Sequence, residues 1–194
     1  MKTIILGALL LLVTGCATAP MAPADKDIEA KKFESNKDTG AVYIYRNETF
    51  GAAIPMDVAI NSKTLGHTAA KTYFKLDLSP GSYNVESRAE NTSAITLDVK
   101  PGISYFLWQE VKMGIISARS KLQLVSESVG KQGVLESRLI NTALSANELL
   151  PAGSQQAILK TPSERLAELK ALLEAGQISQ EEHDASKTKI LGGI

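Results

Sequence analysis

The sequence has little of what metalloenzymes, triad hydrolases and disulfide-stapled domains are built from. It holds one cysteine, two histidines and one tryptophan in 194 residues. A lone cysteine excludes an intramolecular disulfide framework. His67 has no Cys, His or paired carboxylate nearby and makes a poor basis for a metal centre, and neither histidine sits in the context of a Ser-His-Asp triad. HExxH, a Gly-rich phosphate loop and a nucleophile elbow are all missing. Lys plus Arg number 21 and Asp plus Glu number 21, so the formal net charge is zero. Phosphate backbones attract a cationic excess, and no nucleic-acid partner is expected. No apolar run approaches the roughly 20 residues that a membrane-spanning helix needs.

What is present begins at the first residues. Lys2 supplies a positive charge, and residues 4–13 are apolar over the length of a signal-peptide core. Val13-Thr14-Gly15-Cys16 follows. This order, an aliphatic residue, two small residues and a cysteine, resembles the lipobox of bacterial lipoproteins. The resemblance implies cleavage between Gly15 and Cys16, with an N-acyl and S-diacylglycerol lipid on the Cys16 thiol and no other cofactor. It makes the lipid bilayer the first expected partner. More than one acyl chain gives stable anchoring. Ala17 stands where an aspartate would retain an enteric lipoprotein in the inner membrane, so the expected location is the outer membrane, facing the periplasm.

Residues 16–39 read as a lipidated tether. Ala19-Pro20 and Ala22-Pro23 are semi-extended, and residues 25–34 form at most a short polar helix with little apolar surface to dock. Residues 40–145 read as a β domain. Val42 and Ile44, then Met56, Val58 and Ile60, alternate with other residues as half-buried strands do. So do Phe74, Leu76 and Leu78; Tyr83, Val85 and Ser87; and Ile95, Leu97 and Val99. Residues 103–111 are apolar on both faces, with Ile103, Tyr105 and Leu107 on one and Phe106 and Trp108 on the other. Such a strand is covered on both sides. Asn61-Ser62-Lys63 reads as a hairpin turn, and Pro80-Gly81 and Pro101-Gly102 as turn pairs. Val134, Leu135, Leu139 and Ile140 recur at helical spacing and predict a short covering helix. Residues 146–160 read as a linker.

Residues 161–194 carry clear helix grammar. Thr161-Pro162-Ser163-Glu164 and Ser179-Gln180-Glu181-Glu182 are capping boxes. Leu166, Leu169, Leu172 and Leu173 form one stripe, and Gly176 suits a helix end. The expected fold is mainly β: a small antiparallel β-sandwich with a short covering helix and a C-terminal two-helix hairpin. A hairpin of about thirty residues buries too little to stand alone. Self-association or a protein partner through Leu169, Leu172 and Leu173 is therefore expected.

Two family resemblances rest on these residues. The tail over 165–191 resembles the SHOCT (short C-terminal) family through Leu169, Leu172, Leu173, Gly176, Ile178, Ser179, Glu182, Lys187 and Leu191. His183 stands where an aromatic side chain is usual. The resemblance implies oligomerisation or partner contact and no chemistry. The middle segment is similar to the lipoprotein family called domain of unknown function 2846. The matching pieces are residues 42–46, Val58-Ala59-Ile60-Asn61-Ser62-Lys63 with Leu65-Gly66, Leu78-Ser79-Pro80-Gly81-Ser82-Tyr83, and Val99-Lys100-Pro101-Gly102-Ile103-Ser104-Tyr105-Phe106. It brings no established activity.

No catalytic residue stands out. His67 reads as a loop residue with a surface or structural role, His183 as helix packing, and Asp57 and Asp77 as solvated strand charges. Phe106 and Trp108 carry two readings, core beneath the covering helix or an exposed aromatic binding patch. The expected function is a non-enzymatic binding or assembly module of the cell envelope. The alternatives are a lipid or glycan carrier with an apolar pocket behind Trp108, and an envelope hydrolase with an unrecognised site.

Overall fold

The computed structural model describes residues 19–152 and 162–192. The alternating runs form strands, and their apolar positions meet between two sheets. Strands β1 (Gly40–Arg46), β4 (Thr72–Leu78), β7 (Ser104–Met113), β8 (Ala118–Val125) and β9 (Arg138–Leu139) make one sheet, in the order β8-β7-β1-β4-β9. Strands β2 (Met56–Ile60), β3 (Lys63–Thr68), β5 (Gly81–Arg88) and β6 (Thr92–Val99) make the other, in the order β3-β2-β5-β6. Val42, Ile44, Phe74, Leu76 and Leu107 of the first sheet pack with Val58, Ile60, Leu65, Tyr83 and Val85 of the second. Each fully buried aliphatic side chain contributes about 2 kcal/mol.

The turns follow their residues. Asn61 and Ser62 take φ of 47° and 68°, the left-handed pair that a two-residue hairpin requires, and Ile60 pairs with Lys63 across it. Gly102 sits at φ 74° and Gly176 at φ 66°, as their Pro-Gly and helix-end contexts demand.

The sandwich is not purely antiparallel. β1 runs parallel to β7, with Tyr43 opposite Phe106 and Tyr45 opposite Trp108, and β4 runs parallel to β9. Alternation sets which face a residue takes, not which way the chain runs, so the sequence is silent on direction. β1 is also the strand buried along its whole length. Its Tyr43 and Tyr45 face a second core with Tyr73, Phe106 and Val134, on the outer side of the sheet.

That outer face is covered by α1 (Ala24–Ala30) and α2 (Glu127–Leu135). α2 is the short covering helix expected over Phe106, set earlier in the chain than its predicted 134–140, whereas the docking of α1 corrects the sequence reading. The segment expected to be a loose tether is docked from Ala19 onward: Ala19 and Ala30 are buried, and Met21 bridges Ile140. Polar bonds fix α1 where apolar surface is scarce. The Asp27 carboxylate accepts hydrogen bonds from Tyr73 Oη at 2.9 Å, the Leu139 amide at 2.8 Å and Lys31 Nζ at 2.8 Å. Burial opposes the charged form of Asp27, but these donors outweigh it and hold its pKa below the ordinary value. The covering helix ends at Leu135, whereas Leu139 lies in β9 and Ile140 just beyond it. Four aliphatic residues in two pairs suit a strand end as well as a helix turn.

The helix face that packs is built on glycine. A Cβ at Gly130 would lie 2.2 Å from Phe106, and one at Gly133 would lie 2.1 Å from the Tyr45 ring. The expected linker is part of the sandwich as far as it is described. Leu149 is buried in the main core, Asn61 Nδ2 donates to the Leu150 carbonyl at 2.7 Å, and the Ala152 amide donates to the Ser82 carbonyl at 2.7 Å.

The C-terminal helices α3 (Pro162–Glu174) and α4 (Gln180–Leu191) pack on each other. Ser179 caps α4: its hydroxyl accepts from the Glu182 amide at 3.2 Å, and the Glu182 carboxylate accepts from the Ser179 amide at 2.8 Å. The other expected capping residue, Thr161, lies outside the described residues.

Candidate functional site

Gly15 and Cys16 lie outside the described residues. Phe106 is core: its ring stacks on Tyr43 at 5.0 Å between centroids and lies 5.9 Å from Phe33. Trp108 is half-buried, beside a shallow concavity of about 190 Å³ with Tyr45, Gln132, Gly133 and Glu136. Its indole Nε1 is buried without an acceptor. Burial, with the charges of Glu136 and Glu48, pushes the Tyr45 pKa up to about 12, so this phenol is no base at neutral pH. Leu169, Leu172 and Leu173 are half-buried, and neither hairpin helix holds a buried residue. His67 lies in β3 rather than in a loop.

A chain of buried polar side chains links the two sheets. Thr68 Oγ1 donates to Gln109 Oε1, Gln109 Nε2 donates to Ser87 Oγ at 2.6 Å, and Ser87 and Ser120 share a hydrogen bond. It contains no acid, base or activated nucleophile, so it fixes register rather than chemistry. Among the described residues, no group of three His, Cys, Asp or Glu side chains could hold a metal ion.

The most unusual surface lies where β7 turns into β8. Met113, Ile115 and Ile116 are 79%, 88% and 94% exposed, and Phe50 across from them is 52% exposed. Contiguous apolar patches of this kind mark interaction sites on otherwise soluble domains. Two loops form the walls of a cleft of about 370 Å³, one over residues 50–54 and one over 113–118. Ile54 and Ala118 of that lining pack into a small buried cluster with Met56 and Val111.

Both walls are held by a charged side chain. Arg46 is fully buried at the end of β1 and donates to the carbonyls of Gly51 at 2.6 Å, Ile54 at 2.7 Å and Phe50 at 3.2 Å. The Glu90 carboxylate accepts the amides of Ser117 at 2.8 Å, Ile116 at 3.0 Å and Ile115 at 3.1 Å. The seam beside it is closed by side chains: Asn91 pairs with the backbone of Ser120, and Ser93 Oγ accepts the Leu122 amide at 3.0 Å. The two isoleucines are therefore displayed on a fixed loop. The alternating pattern predicts a strand end at Val111, and β7 runs on to Met113. The sequence signal for the tip is Gly114-Ile115-Ile116, two branched aliphatic residues at a turn between strands.

Hydrogen bonds from the Ser117, Ile115 and Ile116 amides hold the Glu90 pKa below its ordinary value. A carboxyl with a depressed folded pKa supports its loop above the unfolded value, about 4.3, and loses that support as pH falls through the folded value. Acidification below about pH 4 is therefore expected to loosen residues 114–117. Glu90→Gln should do the same at neutral pH, raising amide hydrogen exchange at Ile115, Ile116 and Ser117 while the global melt stays nearly fixed. Unchanged exchange in that variant would show that something else holds the loop.

The pattern of the family described as "Protein of unknown function (DUF2846)" matches residues 36–121. An uncharacterized protein of Haemophilus influenzae is 32% identical over 137 residues, covering 70% of this chain and 80% of that one. The chain belongs to the DUF2846 family. No solved structure matches it. The DUF2846 match takes in Phe50, Glu90 and the 113–118 loop, and leaves out α2, β9 and the C-terminal hairpin.

Proposed function

We propose that this DUF2846 protein is a lipid-anchored docking module of the bacterial cell envelope, with no catalytic role. Residues 1–15 direct export, acylated Cys16 fixes the chain to a membrane (the outer one, facing the periplasm, by the Ala17 argument), and the sandwich presents the Phe50–Met113–Ile115–Ile116 tip to a protein. The SHOCT-like hairpin offers a second contact through its half-buried leucines. The observation that carries this reading is the tip: large apolar side chains held in place by Glu90 and left in water. Its cost in solvent is recovered only when something covers it. The carrier reading has less support. Gly130 and Gly133 bring α2 onto Phe106 and Tyr45, filling the space a carrier would keep open.

Two measurements on intact cells test it. Radiolabelled palmitate should enter the wild-type chain and not Cys16→Ser, and the variant should leave the membrane fraction folded. A photo-crosslinking residue at Ile116 should give discrete protein adducts, and one at the exposed Lys121 should give none. Lack of label would remove the anchor. Equal crosslinking at both positions, or none at Ile116, would remove the docking role.

A further inference from the structure

We infer that the tip docks onto the tip of a second copy of this chain, in a two-fold pair. The inference rests on the docking reading above and names its partner. A two-fold interface needs one surface that complements itself. This one does, because it carries a knob beside a hole. Ile115 and Ile116 project next to a cleft of about 370 Å³ whose far wall is Phe50, Gly51 and Ile54. That cleft is several times the size of an isoleucine side chain, and its walls are mostly apolar, with Lys112 and Ser117 the polar exceptions. Each copy can place its 115–116 corner in the cleft of the other.

Area and charge agree with this. The four exposed side chains offer on the order of 500–600 Å² of apolar surface, the upper end for a lone domain. If all of it is covered, two tips together bury at most roughly 1,100 Å², at the roughly 1,000 Å² threshold of a specific interface. Around the rim, Lys112 pairs with Glu110, Arg119 with Glu90 and Arg88 with Glu86. A balanced rim meets its own copy without like-charge repulsion. The same balance leaves no cationic collar of the kind that draws a loop to anionic lipid.

Sedimentation equilibrium on the chain from Ala17 onward, up to roughly 200 µM, is the test, since an interface at this size limit associates in the micromolar range. The wild type should fit a monomer–dimer equilibrium. Ile116→Asp should weaken it by about tenfold or more, and Ile115→Ser should weaken it less. Leu169→Asp with Leu173→Asp, which spoils the hairpin stripe instead, should leave it unchanged. Since Ile116 is almost wholly in solvent, its variant keeps the fold, which an unchanged melt checks. A monomeric wild type, or a dimer that ignores Ile116→Asp but vanishes with the leucine pair, overturns the inference. So does co-sedimentation with phosphatidylglycerol–phosphatidylethanolamine vesicles that Ile116→Asp abolishes. Crosslinks from Ile116 to a different protein, with a monomeric chain in solution, would sink the self-pairing and leave the docking role standing.

Discussion

Arg46→Ala is expected to lower the unfolding free energy by about 4 kcal/mol, through three carbonyls left without donors and a void where the side chain lay. The guanidinium is a fork, and Phe50, Gly51 and Ile54 each use part of it. Burial pulls its pKa below the ordinary arginine value, and the Glu48 carboxylate opposes that pull; a guanidinium stays charged inside proteins. Lysine keeps the charge but lacks the fork; Arg46→Lys should therefore fall between, at about 2 kcal/mol. The loss should be greatest at the tip, because the 50–54 wall has Arg46 beneath it. Urea unfolding gives the stability change, and fluorine NMR of a labelled Phe50 reports the wall. A cost under about 1 kcal/mol would mean that water replaces the guanidinium without penalty.

Gly133→Val is expected to cost about 3 kcal/mol. Glycine inside a helix is already about 1 kcal/mol worse than alanine. Two glycines in a nine-residue helix make sense only through what they allow: backbone lying directly on Phe106 and Tyr45. A branched side chain at position 133 must lift α2 or drive the Tyr45 ring toward Trp108. Gly130→Val should behave alike against Phe106. The control is Gln132→Val, one residue away and exposed, where helix propensity changes and one exposed side-chain hydrogen bond to Glu136 is lost, and the cost should stay under about 1 kcal/mol. Equal melts for the Gly133 and Gln132 variants would show that α2 floats rather than packs.

These two sites mark where the sequence stops being readable. Strands β4, β5 and β6 are legible because Phe74, Leu76, Tyr83, Val85 and Leu97 alternate with polar neighbours, and burial follows that alternation. The α4 cap is legible because Ser179 and Glu182 sit at the spacing that the hydrogen bonds need. Arg46 is not, since a lone arginine after a strand reads as solvated and only the returning 50–54 loop makes it interior. A short covering helix is legible, but the bounds of α2 and its packing face are not, because that face is an absence of side chains. The short polar helix α1 is legible but its docking is not, because Asp27 fixes it with hydrogen bonds that no hydrophobic pattern encodes. The tip could have been found: Ile115-Ile116 after Gly114 is apolar sequence where a turn should be polar. Phe50 opposite them could not, since it depends on the loop that Arg46 gathers.

The path of the chain at Ala19 has a mechanical consequence. Residues 19–22 run alongside residues 139–141, with the Pro20 carbonyl accepting from the Asn141 amide and the Ala22 amide donating to the Leu139 carbonyl. Cys16 is three residues before Ala19, so fully stretched backbone separates them by at most about 11 Å. The β7–β8 turn lies at the opposite edge of the same sheet, four strand spacings or about 19 Å away, and roughly 25 Å farther along the strands. Under the proposed acylation, Cys16 would act as a short hinge at one corner, not as a long leash. It would hold the β9 edge near the lipid headgroups and raise the isoleucine corner clear of them. Two such molecules on one bilayer, meeting about an axis normal to it, would keep both hinges on the same side and span the gap between anchors as a low arch.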